Sequence, residues 1–456
     1  MSFINSYSNF FRKYFPSPFS IAIILSFVSF LLALFITKNN ESFIAYIPKL
    51  GTYWFEGMFK DGLLAFTIHM MLILVLGHVL ALTKTAQKLI DFSLKYATNT
   101  ANAAYLVCLL TIIVALFNWG LGLIFGAIFA RKIAEKFQKE NKKLNYPLIA
   151  AAAYVGLMVW HGGLSGSSLL KINEEGHLQS LTNTISETIP VSISISETIF
   201  SSMNIIVGFT LLVGLSLTAY LMGKRTKPKG YTISMFKEVS TEDDNPEGME
   251  KLTYSKWFGR IIGFLMIVYL CIKIIDYTGV FLGFVNPNFI NLSLLALALS
   301  LHKSIFKFLD SIENAIGGAA GILIQFPLYF GIMGIMMESN LVSQFSQFLI
   351  SFSTETTYPI FTFLSAAIVN VFVPSGGGQW AIQGPIIVDS FLQSNIPLEK
   401  SILAMAYGDE LTNMLQPFWA LPLLGITGLK AKEIIPYTLI FLLVAAVIFI
   451  TALLIF

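Results

Sequence analysis

Apolar residues run along this chain in long unbroken stretches, with neither the alternation of a half-buried strand nor the polar face of a surface helix. The elements they predict are therefore helices apolar on every side. Segments free of Asp, Glu, Lys and Arg cover 14–37, 62–83, 96–130, 144–170, 198–223, 277–302, 314–337, 356–388, 411–429 and 434–456, with a weaker one at 257–275 broken by Lys273. Most are close to the roughly 20 residues that cross a bilayer as a helix. Segments 96–130 and 356–388 are too long for one crossing and too short for two. Each is interrupted at its centre by helix-breaking residues, Asn118-Trp119-Gly120 in the first and Pro374-Ser375-Gly376-Gly377-Gly378 in the second. Both read as re-entrant hairpins.

Charge between the segments supports that drawing. Lys84, Lys88 and Lys95 precede the first hairpin and Arg131, Lys132, Lys136, Lys139, Lys142 and Lys143 follow it, so both flanks belong on one side. With that side and the N-terminus cytoplasmic, 22 Lys and Arg lie inside against five outside, Lys38, Lys49, Lys60, Lys171 and Lys400; that is a strong positive-inside bias. The second hairpin opens outward, between flanks rich in Glu338, Glu355, Asp389 and Glu399. The expectation is an all-α polytopic membrane protein of about nine transmembrane helices plus two opposed re-entrant hairpins.

The chain also reads as two similar halves. Asn118 lies 35 residues before Ala153, and Asn370 lies 36 before Ala406. Residues 1–222 form a first repeat with its hairpin at about 96–136, 223–256 a polar cytoplasmic linker, and 257–456 a joining helix and second repeat with its hairpin at about 356–394. One odd joining helix inverts the second half, an architecture common in secondary transporters.

Composition narrows the class. With 55% hydrophobic and 12% charged residues, 40 Phe and 17 Tyr, the chain is neither disordered, nor a nucleic-acid binder, nor a secreted disulfide scaffold. The net charge of +3 reports loop topology, not a polyanionic partner. Cys108 and Cys271 lie in apolar runs and suggest neither disulfide nor metal. Arg12 and Lys13 precede an apolar stretch too long for a signal-peptide core, so the first helix is expected to stay in the membrane.

Candidate chemistry sits where polar residues interrupt apolar runs, because non-helical backbone at membrane depth is tolerated only around a cavity or inside protein. Four clusters qualify: 118–122, 160–168, 374–380 and 409–417. Helix N-termini created by such breaks present unpaired amides that hold a carboxylate without a buried arginine. Helical spacing would put Asp409, Asn413 and Gln416 on one face, able to bind a proton or a sodium ion. Glu410 reads either as a partner of Asp409 or as an interface carboxylate. His161 is the histidine best placed for the cavity. No P-loop, nucleophile elbow or zinc-protease helix is present, so an enzyme has no constellation to rest on.

Phe117-Asn118-Trp119-Gly120-Leu121-Gly122-Leu123, Val373 through Pro385 and Ala406-Tyr407-Gly408-Asp409 through Pro422 resemble the signature segments of the bacterial short-chain fatty acid transporter family. The likeness runs over nearly the whole chain. It implies an ion-coupled carrier for acetoacetate, butyrate and similar acids in the bacterial inner membrane. Two departures stand out: His161 occupies a position where the family pattern has glycine, and Asp409-Glu410 replaces Glu-Gln.

The combined expectation is proton-coupled uptake of short-chain monocarboxylates. Asn118, Trp119, Gly120, His161, Gly163, Ser165, Ser167, Ser375, Gly376, Gly377, Gln379, Trp380, Asn413 and Gln416 are the substrate-binding candidates, with Trp119 and Trp380 walling the alkyl chain. Asp409 and Glu410 are the ion-coupling candidates, for H+ or alternatively Na+. No cofactor or resident metal is expected. The partners expected are a small carboxylate and the lipid bilayer, with no nucleic acid; a homodimer is compatible with the apolar and glycine-rich faces. An ion antiporter or carrier of another ion on the same plan is the alternative.

Overall fold

The computed structural model describes residues 16–182, 188–228, 230–231, 233, 247–279, 284–393 and 396–456. All its regular elements are helical. The N-terminal residues 1–15 and residues 229, 232 and 234–246 of the linker expected at 223–256 lie outside the described residues.

The principal helices are α1 (Pro18–Ile36), α2 (Phe43–Met58), α3 (Asp61–Ala81), α4 (Lys84–Leu94), α5 (Thr100–Phe117), α6 (Trp119–Lys139), α7 (Tyr146–Tyr154), the short α8 (Ser167–Lys171), α9 (Ser202–Arg225) and α10 (Phe258–Ile275). They continue as α11 (Pro287–Leu301), α12 (Ile305–Ile316), α13 (Ala320–Glu338), α14 (Leu341–Ile350), α15 (Tyr358–Phe372), α16 (Gly376–Gln393), α17 (Leu398–Thr412), α18 (Ala420–Thr427) and α19 (Ala431–Ile455). Among the described residues, seven helical runs are long and apolar enough to cross a membrane: α1, α3, α5, α9, α10, the run from α12 through α13, and α19. Phe209, Phe264, Leu443 and Val447 point outward with more than half their surface exposed. In a polytopic membrane protein those side chains face lipid.

The helices end where the sequence breaks them. Asn118 closes α5 and opens α6, its Oδ1 accepting from Leu121 N at 3.1 Å; it is an N-cap inside an apolar run. Val373-Pro374-Ser375 separates α15 from α16, and Ser375 Oγ caps the new helix by accepting from Gly378 N at 3.2 Å. The first broken helix runs as α7 and a 3-10 turn (Val155–Met158), then as loop until α8. The second stops at Thr412 and resumes as α18. The same order, a helix pair joined at a break and then a broken helix, thus occurs twice. At 18 residues α5 spans about 27 Å, close to the thickness of a bilayer core.

Helix α2 was not expected, because Lys49 and Glu56 interrupt its apolar character. It packs on α13 where glycines face each other. A Cβ on Gly57 would lie 2.5 Å from Phe330 O, and one on Gly334 would collide with Tyr53 O. Small residues let helix backbones approach this closely in membranes. Helices α15 and α17 meet in the same way, with Gly408 against Phe363 O. That approach carries Asp409 and Glu410 inward, and both are only 1% exposed.

Candidate functional site

Residues from all four polar clusters meet at one loop. The loop between the 3-10 turn and α8 holds them together. On one side it reaches the first break: Trp119 N donates to Ser165 Oγ at 3.0 Å and Leu164 N to Leu116 O at 2.8 Å. A Cβ on Gly163 would lie 2.5 Å from Leu116 O, so glycine is required there. On another side the loop reaches the second break. A Cβ on Gly376 would lie 2.7 Å from His161 Cε1 and 2.8 Å from Ser167 Oγ, and one on Gly377 3.9 Å from Ser167 Cβ. The N-terminus of α16 is therefore set against the His161 and Ser167 side chains. Ser167 Oγ is buried and has no hydrogen-bond partner among the described residues.

The third contact is with α17. His161 Nδ1 lies 2.7 Å from Asp409 Oδ2, and Glu410 Oε2 accepts from His161 N at 2.9 Å and more distantly from Gly162 N at 3.4 Å. His161 is 0% exposed. Its other nitrogen, Nε2, meets Ser168 Oγ at 2.7 Å and Ser168 N at 3.2 Å. Two buried carboxylates thus have partners. An unpartnered one costs roughly 2.5–3.5 kcal/mol on insertion scales, and backbone amides with an imidazole offset that cost. Asp409, His161 and Ser168 stand in the order of a serine-hydrolase triad, but all three side chains are closed to solvent.

Asn413 and Gln416 form a separate group. The helix ends at Thr412, so the face expected to run from Asp409 through Gln416 does not exist as a helical face. Asn413 Nδ2 donates to Leu157 O at 3.1 Å, while its Oδ1 accepts from Asn370 Nδ2 at 3.0 Å and Gln416 Nε2 at 3.3 Å. Asn370 Nδ2 also donates to Asp409 O at 2.6 Å and Thr412 Oγ1 at 3.0 Å. These acceptors fix which end of each amide is nitrogen. Asn370 Oδ1 and Gln416 Oε1 are left buried without donors among the described residues.

Gln379 and Trp380 are engaged elsewhere. Gln379 Nε2 donates to Ala366 O at 2.9 Å and Gln383 Oε1 at 2.7 Å, and Trp380 Nε1 to His177 Nε2 at 3.0 Å. Trp119 instead joins an aromatic cluster, with ring centroids 4.9 Å from Trp419, 6.1 Å from Trp160 and 6.4 Å from Phe66. Gly120, buried in the first turn of α6, completes that tip. Beside it, an apolar cavity of about 360 Å³ is lined by Val114, Leu121, Ile124 and Phe125 among others.

The profile of the family described as "Short chain fatty acid transporter" matches residues 2–456. The chain belongs to the short-chain fatty acid transporter family. A protein of Escherichia coli (strain K12) named "putative short-chain fatty acid transporter" is 34% identical to it, with 98% of each chain covered. A protein of the same name from Haemophilus influenzae is also 34% identical, covering 98% of this chain and 97% of its own. Two solved structures align over most of the chain at 14% identity. The Alcanivorax borkumensis YdaH transporter covers 95% of this chain and 98% of its own at a TM-score of 0.42, and Neisseria gonorrhoeae MtrF 96% and 97% at 0.38. The chain is a multi-pass membrane protein of a transporter family.

Sequence reading missed three members of this transporter's polar centre. Ser168 and Tyr407 were inside the quoted segments without a role, and Asn204 was not noticed. Asn204 Nδ2 donates to Gly162 O at 2.8 Å, and its Oδ1 accepts from Tyr407 OH at 2.9 Å. An asparagine in the charge-free stretch 198–223 was the available signal.

Proposed function

We propose that this transporter carries short-chain monocarboxylates inward across the bacterial cytoplasmic membrane as a secondary active carrier, with a proton taken up at the Asp409, Glu410 and His161 cluster. The carrying observation is that His161 and Asp409 join the two broken helices at the same loop whose Ser167 faces the opening of α16. A substrate carboxylate is bound by Ser167 Oγ and the first amides of α16, Gly376 and Gly377. Helix N-termini favour anions through unpaired N–H groups and the helix dipole. The amides of residues 161 and 162 do not serve the substrate, since Glu410 already uses them. The alkyl chain lies against the Trp119 cluster. One observation favours a second reading, with sodium as the coupling ion: Asn370 Oδ1 and Gln416 Oε1 are bare acceptors, suited to a hard cation and not to an anion.

The test is counterflow. Proteoliposomes preloaded with unlabelled butyrate are diluted into labelled butyrate, with and without sodium, beside empty liposomes. A transient overshoot, abolished by competing acetoacetate and absent from empty vesicles, supports the carrier. Uptake no greater than in empty vesicles, with folded protein, rejects it. An overshoot only in sodium moves the reading to the second ion.

A further inference from the structure

The imidazole at position 161 has its tautomer fixed by one contact. Ser168 N lies 3.2 Å from His161 Nε2 and can only donate, so Nε2 bears a lone pair. The single proton of the neutral ring is then on Nδ1, where Asp409 Oδ2 accepts it at 2.7 Å. Ser168 Oγ addresses the same lone pair at 2.7 Å. The second proton of an imidazolium must sit on Nε2, against the Ser168 N–H. Two N–H groups cannot face each other at that distance. A protonated His161 can keep Ser168 Oγ, whose hydroxyl turns to accept, but it opposes the Ser168 N–H at its observed position.

Ser168 cannot move alone. It belongs to the first turn of α8, adjacent to Ser167 at the opening of α16, and Gly166 is packed against His161 O. The same loop is tied to the first break through Ser165 Oγ and Leu164 N. The titratable groups facing the ring are Asp409 and Glu410 of α17. Helix α16 presents Gly376, α8 presents Ser167 and Ser168, and the ring's own segment presents Trp160, none of which titrates near neutral pH.

We propose that His161 is the proton-binding latch of the carrier. The transported proton lands on Nε2, Asp409 holds the resulting imidazolium as counter-ion, and Ser168 is released with the 162–168 loop. That release separates Ser167 from the N-terminus of α16. Only the N–H bond on Nε2 forms, with a proton from the aqueous phase; the hydrogen bond from Ser168 N is what it replaces, and the Ser168 hydroxyl turns from donor to acceptor. The inference rests on the proton-coupled reading above and assigns its proton to one atom.

Trp160 supplies the probe, because its ring stacks on His161 at 4.5 Å and 20° and an imidazolium in that position quenches indole emission. Tryptophan fluorescence of the full chain in nanodiscs is followed from neutral to acid pH in wild type, His161→Gln, Trp160→Phe and His177→Gln. The last controls for the second histidine and tryptophan pair, His177 with Trp380. The expected result is an acid quench lost in His161→Gln and Trp160→Phe and kept in His177→Gln. A quench that survives His161→Gln overturns the proposal. Should that variant not fold, Asp409→Asn decides: displacement of the quench toward acid supports the latch, and an unmoved quench overturns it. In proteoliposomes, the ratio of gradient-driven accumulation to counterflow is expected to fall about tenfold or more in His161→Gln, the scale of a coupling lost between two sites. An unchanged ratio overturns the latch and leaves the carrier standing. No counterflow in wild type overturns the carrier, while the fluorescence still decides whether the imidazole binds the proton.

Discussion

The backbone N–H of Trp119 donates to the hydroxyl of Ser165 at 3.0 Å, across 46 residues of chain. This bond joins the tip of one broken helix pair to the loop of the next broken helix. Ser165→Ala leaves that part-buried amide without its acceptor, a loss of roughly 1–3 kcal/mol. The variant is expected to unfold at lower temperature in detergent than wild type, and to transport more slowly. An unchanged unfolding temperature and rate would mean that the bond does not organise the site.

Asn370 holds the end of α17 by its amide nitrogen, which donates to Asp409 O, Thr412 Oγ1 and Asn413 Oδ1. Asn370→Asp puts an acceptor against those acceptors and is expected to be worse than Asn370→Ala, which merely vacates the position. Each should cost on the order of 1–3 kcal/mol or more. Thermal unfolding and uptake measured on both variants check the order; Asp tolerated better than Ala would contradict the assignment of the amide.

Glycines in α2 and α13 differ by what surrounds them. A Cβ on Gly334 meets Tyr53 O, whereas one on Gly51 meets nothing within 4 Å. Gly334→Ala is expected to destabilise by about 1–3 kcal/mol through overpacking, and Gly51→Ala to be neutral or to stabilise by up to about 1 kcal/mol through helix propensity. Unfolding temperatures of the pair give the contrast directly.

The two tryptophans expected to wall the alkyl chain have different surroundings. Trp119 lies in the aromatic cluster with Trp160 and Trp419, and Trp380 is tied to His177. Trp119→Ala is expected to shift competition for butyrate uptake toward longer acids, since a vacated indole leaves room for added methylenes worth about 0.8 kcal/mol each. Trp380→Phe is expected to leave the chain-length profile alone. A profile that moves only with Trp380 would relocate the alkyl pocket.

The breaks were legible in the sequence because glycine, proline and asparagine stop a helix locally, whatever surrounds them. Thus α1, α3, α9 and α19 fall close to the charge-free stretches, and the chain turns at Asn118 and Pro374 as expected. What joins the breaks was not legible. His161 and Asp409 are 248 residues apart, and no periodicity links them. The face drawn through Asp409, Asn413 and Gln416 failed because it assumed a helix continuing past Thr412, where the chain instead turns. Helix α2 was overlooked because its charges hid a face that packs through glycine.

The most direct measurement of the central claim is accumulation of labelled butyrate in proteoliposomes under an imposed inward proton gradient, with wild type, Asp409→Asn and empty vesicles in parallel. The account predicts saturable accumulation above equilibrium in wild type, collapsed by a protonophore and lost in Asp409→Asn. Accumulation in Asp409→Asn equal to wild type, or none beyond the empty vesicles in either, would contradict it.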